Sequence, residues 1–105
     1  MNLVYLQVRV VEMKPLRFTP AGIPVQELIL EHCSQVIEAG HLRRVEFILS
    51  ACAIGDLAQQ LQQAVVGDGL RVEGFLVAAR KNSTKLVLHL HRIEFSAVDE
   101  SSTEV

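Results

Sequence analysis

Ile-Gly-Asp-Leu-Ala-Gln-Gln-Leu-Gln-Gln-Ala-Val-Val-Gly-Asp-Gly, residues 54–69, is where the periodicity of this chain changes. Counting from Leu57, apolar residues recur at Leu61, Ala64 and Val65, offsets of four, seven and eight that line one face of a helix, with four glutamines between them. The spacing predicts one short amphipathic helix. Asp56 is expected as its N-cap, because a carboxylate can accept the free amides of a first turn. Gly67-Asp68-Gly69 is expected to end it, since glycine takes a positive φ without a Cβ clash.

On either side the period is two. Residues 2–13 alternate, with Val4, Leu6, Val8 and Val10 on one face and Tyr5, Gln7 and Arg9 on the other, the pattern of a half-buried strand. Residues 14–24 hold all three prolines and Gly22, which excludes a helix or a central strand and predicts a turn. Val25 to Cys33 resumes a β pattern. Ser34 to Leu42, polar and containing Gly40, reads as an interruption before a third strand, Arg43 to Ala53, with Val45, Phe47, Leu49 and Ala51 in phase. Beyond the helix, Leu70, Val72, Gly74, Leu76 and Ala78 mark a fourth strand. Arg80-Lys81-Asn82-Ser83-Thr84-Lys85 is a basic turn, and Leu86, Leu88 and Leu90 alternate with Val87, His89 and His91 in a fifth strand reaching Phe95. The order β-β-β-α-β-β, with one helix between the third and fourth strands, is that of the oligonucleotide/oligosaccharide-binding (OB) barrel, five strands closed with the helix across one end. An open α+β sheet is the competing architecture. Gly74 favours the barrel, because a glycine inside a strand marks a bulge or a corner.

The composition sets outer bounds. A chain of 105 residues holds one domain, and 50% hydrophobic residues with a net charge of −2 exclude a disordered chain. No apolar run approaches the ~18 residues of a membrane span, and the N-terminus has neither a basic n-region nor a cleavage site, which points to a mature cytosolic protein away from the membrane. Asp99, Glu100 and Glu104 lie in the last seven residues, so a near-neutral domain over 1–96 is expected to carry an acidic, solvated tail over 97–105. Cys33 and Cys52 form no CxxC pair and read as reduced, mostly buried thiols.

Catalytic chemistry finds little support. Gly67-Asp68-Gly69 precedes a strand instead of opening a helix, so it is no phosphate loop, and GxxxxGK[ST] and GxSxG are absent. Cys33 follows His32, but neighbours on a strand point to opposite faces, so the pair is not a nucleophile with its base. His89 and His91 share a face yet lack a third metal ligand at any usual spacing. No enzyme activity, metal or cofactor is expected. Binding fits better, because a single-strand binder needs cations for phosphates and flat rings for bases. Cations cluster at Arg43-Arg44, in the turn of Arg80, Lys81 and Lys85, and in the first turn at Lys14 and Arg17. Rings are scarce: Tyr5, Phe18, Phe47, Phe75 and Phe95, with Phe47 and Phe95 core by phase.

Several segments are familiar together. Thr-Pro-Ala-Gly-Ile-Pro at 19–24, Leu-Glu-His at 30–32, Glu-Ala-Gly at 38–40, Gly-Asp-Gly-Leu-Arg-Val-Glu-Gly-Phe-Leu at 67–76 and Lys-Leu-Val-Leu-His-Leu-His-Arg-Ile-Glu at 85–94 resemble, in order and over nearly the whole chain, the bacterial primosomal replication protein N (PriB) family, itself akin to single-stranded DNA-binding proteins. The resemblance implies an OB-fold homodimer that binds single-stranded DNA and serves as adaptor to the PriA helicase in restart of arrested replication forks, with DnaT and single-stranded DNA-binding protein as further partners. It carries the family's lysines of the turn between strands four and five onto Lys81 and Lys85, beside Arg80, and its basic start of strand three onto Arg43. Where the family places an aromatic and a tryptophan, this chain has His41 and Glu46. A carboxylate there removes a stacking platform and repels phosphate, so DNA binding weaker than the family norm and steeply salt-dependent is expected. The other readings are a protein-interaction module with little DNA affinity and a general single-stranded DNA-binding protein.

Overall fold

The computed structural model describes residues 1–96. The expected tail, 97–105, lies outside the described residues. The elements are β1 (Val4–Met13), β2 (Arg17–Phe18), β3 (Pro24–Glu38), β4 (His41–Ile54), the helix α1 (Asp56–Gln60) running into a 3₁₀ turn (Leu61–Gln63), β5 (Gly69–Ala78) and β6 (Leu86–Phe95). The five long strands are those expected, and the two-residue β2 in the proline-rich turn pairs only with the start of β3, an edge position that proline tolerates.

One strand closes the sheet on itself. β1 pairs with β5 from Val4↔Gly74 to Arg9↔Gly69, then turns to β3 from Arg9↔Glu31 to Met13↔Leu28, with a register shift between Val10 and Glu12. The ring continues through β3–β4 and a parallel contact of Ser50–Cys52 with Val87–His89 back to β6 and β5, making a five-stranded OB barrel. Its interior is the expected phase: Val8, Val10, Leu28, Leu30, Ala51, Leu70, Val72 and Leu88 are buried. α1 closes one end with Ala58, Leu61 and Ala64. The single buried polar side chain among the described residues, Gln26, fastens that lid: its amide donates to the Lys14 and Glu27 carbonyls, and its oxygen accepts from Gln62 Nε2 at 2.7 Å. Lys14, and with it the turn after β1, is thereby tied to the helix.

The helix differs from expectation at both ends. Its N-cap is Gly55 (φ 81°), with no side-chain cap, and Asp56 is its first residue. The left-handed turn at Gly55, whose amide donates to the Pro24 carbonyl, places the chain over the barrel end and leaves Asp56 a place inside the first turn, where its charge still suits the dipole. Ala64 is already extended, so the helix stops before the glycines, and Val65 is exposed.

Ser34–Leu42 is not an interruption. β3 and β4 pair without a break from Val25↔Ile54 to Glu38↔His41, and only Ala39-Gly40 turns, both at positive φ (52° and 82°), as a two-residue hairpin requires. Polar residues are tolerated here because nothing covers the strands. β4 touches β6 only at Ser50–Cys52 and β3 touches β1 only as far as Glu31, so residues 32–48 form a two-stranded arm. Phe47 is therefore 39% exposed although it is in phase with the core, and Cys33 is exposed on the arm's outward face opposite Glu46, against the sequence reading of both. Phe95, also expected in the core, is 44% exposed at the end of β6. Cys52 is buried as expected.

At Gly74 the register of β5 and β6 shifts: Glu73 faces Arg92 while Gly74 faces Leu90, leaving His91 unmatched. A Cβ at Gly74 would run into the His89 carbonyl group. The bulge that glycine was expected to mark is therefore present, and only glycine fits it.

Candidate nucleic-acid interface

Outward-facing residues of β3 and β4 floor a groove of about 500 Å³. Glu27, Ile29, Ser50, Cys52 and Ile54 line it, with Val87 and His89 of β6 beside them. Lys14, Arg17 and Thr19 border it from the turn after β1. Ala78 and Ala79, which lead into the basic turn, border it elsewhere. Two of the predicted cationic sites are thus at the groove, or one step from it, because the barrel brings the first and last turns to the same strands.

The cations differ in how free their charge is. Arg17 is paired with Glu27 at 2.8 Å and Lys14 with Glu12 at 3.2 Å. Arg80, Lys81 and Lys85 are exposed and form no ion pair among the described residues. Their turn is held by its own backbone: the Ser83 amide donates to the Arg80 carbonyl, the Lys85 amide to Ser83 Oγ, the Ala79 amide to the Lys85 carbonyl, and Asn82 takes a left-handed φ of 64°. A rigid loop holding three uncompensated cations is ready to meet phosphate.

Arg43 and Arg44 do not act together. As strand neighbours they point to opposite faces of the arm. Arg44 lies on the face that continues the groove, bonded to Glu46 at 2.7 Å, and that guanidinium holds the Glu46 carboxyl below its usual range. Arg43 lies on the other face, paired with Glu38 at 3.3 Å, and His41 shares that face opposite Glu38. Position 46 does share the face of Ser50 and Cys52, about 13 Å further along β4 at ~3.3 Å per residue.

His32, unclaimed by sequence reasoning, secures the arm's base. Its Nδ1 lies 2.8 Å from the Gln7 carbonyl oxygen and therefore carries the proton, while Nε2 lies 2.8 Å from Ser34 Oγ, and its ring packs on Phe47 at 5.0 Å. Only a contact across strands reveals this role. Cys52, in the groove floor, has its thiol pushed above the ordinary value, by burial first and by the Glu27 carboxylate second, so it stays protonated at neutral pH. Among the described residues no group of three metal-ligating side chains comes together, and no helix is long and apolar enough to cross a membrane.

Known proteins agree with this geometry. A family model described as "Another single-strand binding protein family" matches residues 2–92. The replication restart protein PriB of Bordetella pertussis is 51% identical over 92 residues, covering 88% of this chain and 86% of that one. The PriB of Nitrosomonas europaea is 35% identical, covering 85% and 82%. Among solved structures, PriB from Ralstonia solanacearum superposes with a TM-score of 0.82 at 34% identity over 90% of this chain and 97% of that one. The wild-type single-stranded DNA-binding protein of Thermus aquaticus shares the fold at a TM-score of 0.72 and 22% identity, over 91% of this chain and half of that one. With an OB barrel, a cation-bordered groove and this similarity along nearly the full chain, the protein belongs to the replication restart protein PriB family within the single-strand binding proteins.

Proposed function

We propose that this chain binds single-stranded DNA along the groove and acts in replication restart as a non-catalytic adaptor that stimulates the PriA helicase, with DnaT and single-stranded DNA-binding protein as further partners. The observation that carries the DNA reading is the contrast in charge: Arg80, Lys81 and Lys85 stand free beside a groove bordered at another side by Lys14 and Arg17. Phosphates meet the free turn first, and Lys14, Arg17 and Arg44 engage by exchanging exposed carboxylates for phosphate, a cheap exchange because exposed ion pairs contribute little. Arg43 and His41, on the arm's other face, would join only a strand that wraps the arm.

The working unit is a homodimer in this reading. Val4–Val8 of β1 have β5 on one side and no strand on the other among the described residues. An open edge of this kind pairs readily with a second copy. A dimer mass by light scattering at micromolar concentration is expected, and a monomer mass overturns that part.

Charge compensation on the arm favours a second reading, a protein-interaction module with little DNA affinity. Arg43, Arg44 and Arg17 all sit on acids, and Glu46 stands on the groove side. Changing Lys81 and Lys85 together to alanine separates the two. DNA binding through the turn predicts weaker binding of every oligonucleotide sequence alike and a salt slope flatter by about one phosphate contact per lysine. Unchanged affinity and slope would mean that the strand is held elsewhere, whereas no binding of an oligonucleotide by the unmodified protein at low salt, with helicase stimulation intact, would establish the second reading.

A further inference from the structure

Four flat side chains run away from the groove over the outer wall of the barrel. His89 lines the groove and is the register partner of Phe75, their rings 5.4 Å apart at 35°. Phe75 in turn faces His91 at 6.4 Å and 24°, near parallel. His91 Nε2 lies 3.0 Å from Glu73 Oε2, and Glu73 is the register partner of Tyr5 on β1. Tyr5 is 67% and Phe75 38% exposed, so rings that could have packed inward present themselves to solvent.

The arrangement depends on the bulge at Gly74. Strict alternation after Leu90 would put His91 outside and Arg92 inside. With His91 unmatched, Arg92 also reaches the outer face, opposite Glu73, while Ile93 packs on the core. Arg92 forms no close ion pair among the described residues, although its charge acts on the Glu73 carboxylate opposite, so the wall carries an exposed cation beside its rings. Two acids lie near the rings: Glu94 is paired with Arg71 at 3.2 Å, and Glu73 is largely covered. Glu73 has an 18% exposed side chain, its Oε1 is buried without a hydrogen-bond partner among the described residues, and its carboxyl is held below the ordinary range by the bond from His91 first and by the nearby Tyr5 hydroxyl second. It serves as a positioning residue beneath the rings.

We infer that this wall is a second track for single-stranded nucleic acid, on which bases leaving the groove at His89 stack on Phe75, His91 and Tyr5 while Arg92 meets phosphate. The inference rests on the groove reading and deepens it, because the rings missing at Glu46 reappear around the corner. A second copy of the chain is the less suitable occupant. The face carries the ion pair Arg71–Glu94 together with Glu73 and Arg92, and charged side chains are depleted at the centre of protein interfaces.

The chain has one tyrosine and no tryptophan, so its intrinsic emission reports this wall alone. Oligo-dT of roughly 30 nucleotides should change Tyr5 emission, whereas one of about 8, short enough for a single OB groove, should change it little while still binding. Phe75→Ala should weaken the long oligonucleotide about five-fold or more, the loss of one stacked base, and leave the short one unaffected. His91→Gln, which keeps the bond to Glu73, serves as the gentler variant and should weaken the long one in the same sense. The inference is overturned if both lengths bind while the emission is constant and both variants bind as the unmodified protein does. It is equally overturned if the emission follows protein concentration without DNA and light scattering shows larger assemblies, since the wall then binds copies. Failure of the unmodified protein to bind any oligonucleotide at low salt would refute the groove reading and this inference with it.

Discussion

One hairpin contains two different structures. From Leu28 to Glu31, β3 has β1 on one side and β4 on the other, and its inward residues Leu28 and Leu30 are at most 1% exposed. From His32 to Glu38 the same strand has β4 alone, and Val36 and Ile37 are 45% and 70% exposed. Although the second half is the more polar, it still holds the apolar Val36 and Ile37, and the pairing with β4 does not change between the halves. Neighbouring strands do, which shows that burial in this protein is conferred by closure of the barrel and not by the strand's own residues. A two-stranded ribbon has little stability of its own, so the arm depends on the barrel and on the His32 contacts to Gln7 and Ser34.

That contrast can be broken hardest at Gly74. A methyl group there meets the His89 backbone, which no side-chain rotation relieves, so Gly74→Ala should cost more than about 3 kcal/mol or abolish folding, as read by thermal unfolding. A near-normal melting temperature would mean the β5–β6 crossing is looser than described. Next in size is a matched pair. Leu61→Ala under the lid should cost about 2–5 kcal/mol, by cavity formation. Leu42→Ala on the arm, 66% exposed, should stay within about 0.5 kcal/mol in denaturant titration. Comparable losses would show that the arm is covered in solution.

The two thiols sharpen the same difference by chemistry. Cys33 on the arm should react with an aromatic disulfide reagent on the order of ten-fold faster or more than Cys52, which is buried and whose raised pKa keeps thiolate scarce. Equal rates would place Cys52 within easy reach of solvent. The smallest expected effect is a gain: Glu46→Trp should tighten oligonucleotide binding by about five- to ten-fold, because position 46 shares the groove's face and an indole stacks bases. No gain would separate the arm from the DNA path.

Much of this was legible in advance, and the misreadings of Ser34–Leu42 and Phe47 share a cause. Alternation of Val4 to Val10 and of Leu70 to Leu76 marked strands because side chains two apart must share a face, and Leu61 and Ala64 marked the lid. Ser34–Leu42 was misread because polarity implies a loop only when the chain beside it is covered. Phe47 was assigned to the interior by a phase that is correct and a neighbour that is missing, whereas Cys33 was assigned there by residue type alone and lies on the opposite face, across from Glu46.

The sequence by itself therefore determined the order of the long strands, the alternation along β1 and β5, the one helix, and the basic turn at Arg80, Lys81 and Lys85, since all of these follow from spacing along a few residues. Only the tertiary structure decided where the strands leave the barrel, which cations share a face, which of them an acid already occupies, and that His91 and Arg92 both reach the outer wall. Those depend on partners far apart in the sequence, such as Glu73 for Tyr5 and the His89 backbone for Gly74. Local spacing carries no record of such contacts, which exist only once the chain has closed on itself.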